Sequence, residues 1–276
     1  MDGDQQIART DKGPIEYRLE GSGAPIMVLN GGHCSRRTRL SHERLACSGF
    51  LVLTPSRPGY DGTPAEIGRS ARDAADCLAA LMETLGIPRL DVIGISAAGP
   101  TALAFAQRYP TKIRRLVLES AVSLPWDERT KRGSRLVFWS AERMTWAAMR
   151  AFVRIAPRAA VRTMLLELTT LDVASVVRGM GAADLAYVVR MIEASRSGRG
   201  FLNDIEHQVS DLSGIACPTL AMYTRHDKAV RPENALRLAR EMSECAVYDT
   251  RADCHLIWIG KSADAVWNRR LEFLTA

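Results

Sequence analysis

The chain has 276 residues, of which 47% are hydrophobic and 25% charged, and its formal net charge is +6. This length can bury a large core, and the composition excludes a disordered chain. No stretch of 18 uncharged apolar residues occurs, so we expect no stable membrane insertion. The N-terminus lacks the basic and apolar regions of a signal peptide, and the six cysteines lack metal-ligand spacing. We therefore expect a cytoplasmic protein with reduced thiols, no metal and no cofactor.

The excess positive charge lies in one segment of the chain. Residues 127–200 hold 13 Lys and Arg against 7 Asp and Glu, whereas the rest of the chain is balanced at 24 against 24. Such an asymmetry marks this segment as a candidate separate unit. The charge alone is weak support for nucleic-acid binding, and we expect none.

Strand and helix patterns alternate in the first 121 residues. Polar and apolar residues alternate at 13–19, which predicts a half-exposed strand. Short apolar runs predict buried strands at 25–29, 50–54, 90–93 and 114–120. A capping-box pattern at Ser70 and Asp73 begins a predicted helix over 70–86, and a helix that is apolar nearly all round is predicted at 100–109. This alternation favours a mostly parallel sheet that is covered on both faces.

From 122 to 213 the pattern becomes helical, with no convincing strand. Helices are predicted at 134–156, 159–169, 172–180 and 182–195. Beyond this segment the α/β pattern resumes, with strands predicted at 218–223 and 246–249 and helices at 232–242 and 261–274. The sequence therefore predicts an α/β core at 1–121 and 214–276, interrupted by a helical cap at 122–213.

The predicted helix at 134–156 is amphipathic. An apolar stripe runs along one side, and Arg143, Arg150 and Arg154 lie on the opposite side. Such an arginine face is most often simply solvated, and the alternative is a face for an anionic ligand or a membrane surface.

Ser96 lies in a run of small residues, Gly94-Ile95-Ser96-Ala97-Ala98-Gly99, between a predicted strand and a predicted helix. A nucleophile at a sharp strand-to-helix turn needs small neighbours two residues before and two residues after it, because strand and helix approach closely there. Those positions hold Gly94 and Ala98. The pattern therefore predicts a nucleophilic Ser96, with a methyl group where glycine is usual.

A serine nucleophile needs an imidazole base, and the base needs a carboxylate partner. Asp227 follows the predicted strand at 218–223, and His255 follows the strand at 246–249. Because functional groups in parallel sheets gather beyond the carboxyl ends of the strands, we expect Ser96, Asp227 and His255 to meet. Their order along the chain is the Ser, acid, His order of one particular fold.

Over nearly its whole length the chain resembles the α/β-hydrolase family. Segments similar to family motifs are Asn30-Gly31-Gly32, Arg57-Pro58-Gly59-Tyr60-Asp61-Gly62-Thr63, 110–118, Arg225-His226-Asp227 and Asp253-Cys254-His255. The departures are Asn30, Ser56, Ala98 and the pair Ala252-Asp253, where the family usually has histidine, aspartate, glycine and glycine. The resemblance implies that the backbone N–H groups of Gly32 and Ala97 form the oxyanion hole.

Other residues near these motifs have competing interpretations. Asp253 is an alternative acid, but it is too close in sequence to His255 to reach it without a special turn. His226 is expected to point away from the site. His33 is either a substrate contact or a structural hydrogen-bonding residue. Cys34 and Cys254 flank the site and are expected to be packing residues, since neither lies on a strand-to-helix turn.

The family resemblance implies a serine hydrolase that cleaves carboxylic esters through an acyl-enzyme, with a small-molecule ester as its partner. Candidate residues for an apolar pocket wall are Trp126, Phe138, Trp139, Met144, Trp146, Met149 and Phe152. One alternative is a C–C bond hydrolase or lactonase in which a cap arginine binds a substrate carboxylate. Another is a ligand-binding receptor of the same fold without turnover. Assembly into a homo-oligomer stays open.

Overall fold

The computed structural model describes residues 6–276, apart from the side chain of Ser41. These residues form an eight-stranded sheet with strand order β1-β2-β4-β3-β5-β6-β7-β8. The strands are β1 (Gln6–Thr10), β2 (Gly13–Gly21), β3 (Ala24–Leu29), β4 (Phe50–Pro55), β5 (Leu90–Ile95), β6 (Ile113–Glu119), β7 (Thr219–Tyr223) and β8 (Cys245–Asp249). From β4 to β8 neighbouring strands are parallel, whereas β2 pairs antiparallel with both β1 and β4. The predicted fold class is confirmed.

Helices cover both faces of the sheet. They are α1 (Ala71–Thr84), α2 (Gly99–Arg108), α3 (Glu128–Phe138), α4 (Glu142–Ile155), α5 (Pro157–Leu165), α6 (Val173–Gly179), α7 (Ala182–Ala194), α8 (Gly200–Asp204), α9 (Glu233–Glu241) and α10 (Ala263–Thr275). Apolar side chains of α1, α2 and α9 form one core against the sheet, and those of α10 and several middle helices form a second. The predicted capping box of α1 is present, with the Ser70 hydroxyl accepting from the backbone N–H of Asp73.

Helices α3 to α8 lie between β6 and β7, and we call them the cap. No helix within residues 6–276 has both the length and the apolar character needed to cross a bilayer. Three features of the fold escaped the sequence patterns: strand β1, the short helix α8 and the start of α3 at Glu128.

The prediction of a single helix over 134–156 is wrong, because one helix ends at Phe138 and the next begins at Glu142. The rings of Phe138 and Trp146 both contact the His33 ring, with centroid separations of 4.7 and 5.2 Å. In a continuous helix these two residues would be about 12 Å apart along the axis. The break therefore allows two aromatic rings from neighbouring helices to pack on one imidazole.

Candidate active site

Ser96 lies on a tight turn between β5 and α2. Its φ of 51° is in the left-handed region, which is strained for a residue with a side chain. A Cβ atom on Gly94 would lie 2.6 Å from the Cβ of Ala102, so Gly94 is required where strand and helix cross. On the helix side the tight position is Gly99, where a Cβ would lie 2.1 Å from the Val122 carbonyl oxygen. The position that must be glycine is therefore Gly99 and not residue 98, as the sequence pattern suggested. The Ala98 methyl group packs in the core.

Ser96, His255 and Asp227 form a continuous hydrogen-bonded chain. The Nε2 of His255 lies 3.0 Å from the Ser96 Oγ, and its Nδ1 lies 2.7 Å from the Asp227 Oδ2. The other carboxylate oxygen of Asp227 accepts from the backbone N–H of Val230 at 2.8 Å. Asp227 is 1% exposed and His255 6% exposed. The structure therefore brings together the three residues that the sequence predicted to meet.

The cap segment that follows α5 holds the loops that carry Asp227 and His255. The backbone N–H of His255 donates to the Leu168 carbonyl at 2.8 Å. The Thr169 hydroxyl donates to the Asp253 carbonyl at 2.6 Å, and the backbone N–H of Thr170 donates to the His226 carbonyl at 3.0 Å. Three successive cap residues thus fix the separation of the Asp227 and His255 loops.

The loop after β3 lies directly against the turn that carries Ser96. A Cβ on Gly31 would lie 3.0 Å from the Ser96 Cβ. A Cβ on Gly32 would lie 2.9 Å from the Phe201 ring and 3.4 Å from the Ala97 Cβ. The backbone of Gly32 and the residue after Ser96 are therefore close neighbours, which is the arrangement expected of an oxyanion hole.

A buried arginine holds this loop in place. The Arg57 guanidinium donates to the carbonyl oxygens of Asn30 at 2.9 Å and Gly31 at 3.1 Å, and forms a two-pronged ion pair with Asp204 of α8. Tyr60 also donates its hydroxyl to Asp204, at 2.5 Å. Burial and the Asp204 carboxylate raise the pKa of Tyr60 well above its ordinary value, so the phenol keeps its proton. Arg57 therefore connects the backbone of the loop at Asn30 and Gly31 to Asp204 in the cap, which fixes the position of the loop.

His33 follows this loop and packs inside a cluster of aromatic rings. Its Nδ1 lies 2.7 Å from the Ser197 Oγ, which also accepts from the indole N–H of Trp146 at 2.7 Å. Burial lowers the pKa of His33 to about 4, so the ring is neutral at pH 7. Because the Ser197 oxygen accepts from Trp146, its own proton is available for Nδ1, and we assign the His33 proton to Nε2. His33 is thus hydrogen-bonded, and it also lines the cavity described next, so its contact with a substrate stays a prediction.

A cavity of about 170 Å³ opens beside Ser96. Among the residues that the structure describes, no arginine, lysine or carboxylate lines the cavity, whereas two of the predicted tryptophans, Trp126 and Trp146, do. Trp139 does not: it is 73% exposed, and the Arg199 guanidinium lies 5.9 Å from its ring. Met144 is 71% exposed and also lies outside the cavity, because it is on the side of α4 opposite the buried Trp146 and Val153. The full lining is Gly31, Gly32, His33, Cys34, Leu40, Ile95, Ser96, Ala97, Trp126, Trp146, Met164, Leu168, Met191, Ser195, Phe201, Ala229, His255, Leu256 and Trp258.

The alternative nucleophiles, Cys34 and Cys254, and the alternative acid, Asp253, lie in environments that do not suit those roles. Burial raises the pKa of the Cys34 thiol to about 11 and that of Cys254 to about 12, so both are protonated and weakly nucleophilic at neutral pH. Asp253 is exposed, and the carboxylate that meets the His255 ring is that of Asp227.

The sequence patterns did not single out Asp204, Ser197 or Phe201. Asp204 lies 147 residues from Arg57, and no local pattern connects the two. The one available signal was Arg57 itself, an arginine at the end of a buried strand, which requires an acidic partner.

The residues 38–261 match the family model described as alpha/beta hydrolase fold. The chain belongs to the α/β-hydrolase fold family. A curated relative, an uncharacterized hydrolase named YcgS from Bacillus subtilis, is 33% identical over 272 residues and covers 96% of both chains. A 2-hydroxy-6-oxo-6-phenylhexa-2,4-dienoate hydrolase from Comamonas testosteroni is 28% identical over 110 residues, which is 38% of each chain. The solved structure of an alpha/beta hydrolase fold protein from Nakamurella multipartita superposes with a TM-score of 0.85 at 25% identity, covering 98% of both chains.

Proposed function

We propose that the protein is a serine hydrolase that cleaves small, uncharged carboxylic esters through an acyl-enzyme. The observation that carries the proposal is the continuous chain from Ser96 Oγ through His255 to the buried Asp227, beside a cavity. This arrangement supplies a nucleophile, a base that accepts its proton, and a carboxylate that orients the base. The same arrangement favours an enzyme over a ligand-binding receptor without catalytic activity.

In the proposed reaction the Ser96 oxygen attacks the ester carbonyl while His255 takes the hydroxyl proton. The negative oxygen that forms is stabilised by the backbone N–H groups of Gly32 and Ala97. His255 then gives its proton to the departing alcohol, which leaves an acyl group on Ser96. A water molecule, deprotonated by His255, releases the carboxylic acid and restores the enzyme. Asp227 stabilises the imidazolium in both halves of the reaction.

The size and lining of the cavity favour a substrate whose acyl or aromatic group is small and uncharged. Its volume of about 170 Å³ is close to the roughly 150 Å³ that holds one benzene ring. No cationic side chain lines it among the described residues, so a substrate carboxylate placed there would lack a partner. This disfavours the alternative in which a cap arginine binds a carboxylate, although four relatives that match about two fifths of the chain carry names of dienoate or dienedioate hydrolases.

The test is a series of p-nitrophenyl esters from acetate to decanoate, together with benzoate, a neutral lactone and a 2-hydroxy-6-oxo-dienoate. We expect kcat/KM to be highest at two to four acyl carbons or at benzoate and to fall steeply beyond six. Ser96→Ala is the control and should be inactive with every ester. If the dienoate is cleaved faster than every ester, the C–C hydrolase alternative replaces this proposal. If none of the substrates turns over, the enzyme interpretation fails.

A further inference from the structure

The cap carries large apolar side chains on its outer surface. Leu136 of α3 is 80% exposed, Trp139 directly after α3 is 73% exposed, and Met144 and Ile155 of α4 are 71% and 84% exposed. Scattered exposed apolar residues are normal on a protein surface, but here four large ones lie on two consecutive helices and the turn between them. We call these four, together with the exposed arginines described next, the outer cap face.

Five arginines of α3, α4 and α5 are exposed and have no carboxylate within 4 Å among residues 6–276. They are Arg129, Arg132, Arg143, Arg158 and Arg162. Residues 127–200, which include all of α3, α4 and α5, also contain the whole excess positive charge of the chain. Exposed guanidinium groups without nearby carboxylates, on consecutive helices, attract anions collectively.

The apolar and basic residues of α4 are arranged in parallel rows. At 100° per residue, Met144, Ala148, Ala151 and Ile155 lie within about 60° of one another, and all four are exposed. Arg143 and Arg154 lie within about 20° of each other and about 100° from the centre of the apolar row. The opposite side of the helix is buried through Trp146 and Val153. The apolar stripe that the sequence pattern located on this segment therefore faces outward along α4, beside Arg143 and Arg154.

We propose that the outer cap face binds the surface of a membrane rich in anionic lipids. A helix that carries apolar side chains beside arginines lies in the plane of such an interface, with the apolar row among the acyl chains and the guanidinium groups at the phosphates. Each arginine near an anionic surface strengthens binding about fivefold. A second copy of the chain would fit this face less well than a membrane. If two α4 helices packed antiparallel, both arginine rows would lie on the same side of the pair and would repel each other.

The same helices connect this face to the active-site cavity. On α4 the outward Met144 is two residues from the inward Trp146, which lines the cavity and donates to Ser197. Trp139 directly follows Phe138, the last residue of α3, whose ring contacts the cavity residue His33. A membrane at the outer cap face would therefore lie against α4, which lines the cavity through Trp146, and esters dissolved in that membrane would be close to the cavity.

The experiment measures sedimentation of the full-length protein with vesicles. One set contains phosphatidylcholine with 30% phosphatidylglycerol, and the other contains phosphatidylcholine alone. We expect binding to the anionic vesicles only, with a loss of at least tenfold in 0.5 M NaCl. Arg143→Glu with Arg158→Glu and, separately, Met144→Glu with Ile155→Glu should each weaken binding at least tenfold.

The matched control is Arg72→Glu with Leu236→Glu, which changes an exposed arginine of α1 and an exposed leucine of α9. It should bind as wild type does. Since all six positions are exposed, we expect unchanged melting temperatures and unchanged turnover of a soluble ester. Equal binding to both vesicle types, no binding by wild type, or cap variants that bind normally would overturn the proposal. A wild-type dimer in sedimentation velocity that Met144→Glu with Ile155→Glu dissociates would also overturn it, since the face would then join two subunits.

Discussion

The inner and outer sides of the cap differ in how their polar groups are satisfied. On the inner side, Trp146, Ser197 and Asp204 are hydrogen-bonded or ion-paired to groups that hold the catalytic loops. On the outer side, five arginines with no carboxylate within 4 Å among residues 6–276 and four large apolar side chains are exposed to solvent. Buried polar groups are costly without partners, whereas exposed groups are not. Substitutions on the inner side should therefore reduce stability and activity together, and those on the outer side should change neither.

The largest effect on stability is expected from Asp204→Asn. The substitution leaves the buried Arg57 without its carboxylate, and breaking a buried ion pair from one side costs about 3 kcal/mol or more. Ester turnover should also fall, because Arg57 holds the loop of Gly31 and Gly32. Urea unfolding and kcat together measure this. Glu206→Gln is the exposed comparison, since Glu206 pairs with Arg135 and Lys131 at the cap surface, and it should cost less than about 1 kcal/mol.

Acid should destabilise the protein through its buried neutral histidines. Burial lowers the pKa of His33 to about 4, below the ordinary value of 6.5 that it regains on unfolding. Between these values the unfolded chain binds more protons than the native one, so the free energy of unfolding falls as the pH decreases from 6.5 towards 4. The slope is at most about 1.4 kcal/mol per pH unit for each such histidine.

Urea unfolding at pH 7.5 and 5.0 measures this pH dependence. His33→Asn is the informative variant, because asparagine tolerates the φ of 63° at this position. It should show a smaller loss of stability on acidification than wild type. An identical pH dependence in the two proteins would contradict the neutral, buried His33.

Two tryptophan-to-phenylalanine substitutions compare the inner and outer sides of the cap while changing the side-chain volume only slightly. Trp146→Phe removes the indole N–H that donates to Ser197, and we expect a loss of about 1 kcal/mol. Trp139→Phe changes an exposed ring and should alter stability by less than about 0.5 kcal/mol. Thermal unfolding of both variants checks the difference. Equal losses would mean that α3 and α4 are packed differently from this description.

Little effect on turnover is expected for Ala98→Gly. Ala98 is fully buried, but the residue that meets the neighbouring chain at Val122 is Gly99. Removing the Ala98 methyl should cost about 1 kcal/mol or less in stability and leave kcat within twofold. A large loss of turnover would show that the methyl group positions Ser96.

The sequence predicts much of this architecture for identifiable reasons. Apolar runs locate the buried strands, and the loops after parallel strands end at one edge, which is why Ser96, Asp227 and His255 meet. The orientation of the cap helices was not predictable in this way. Periodicity finds the apolar row through Met144 and Ile155, but it does not say whether that row faces the core. The break after Phe138 and the Arg57–Asp204 pair depend on how the cap packs on the core, which no local pattern contains.

The most direct test of the proposed catalysis is covalent labelling with a fluorescent organophosphonate, followed by mapping of the modified residue. Since only an activated serine reacts quickly with such a reagent, wild type should incorporate one label per chain, on Ser96. His255→Ala should slow labelling by about 10⁴-fold, because the serine loses its base. Fast labelling that persists in Ser96→Ala, or a label on another residue, would contradict the assignment of Ser96 as the nucleophile.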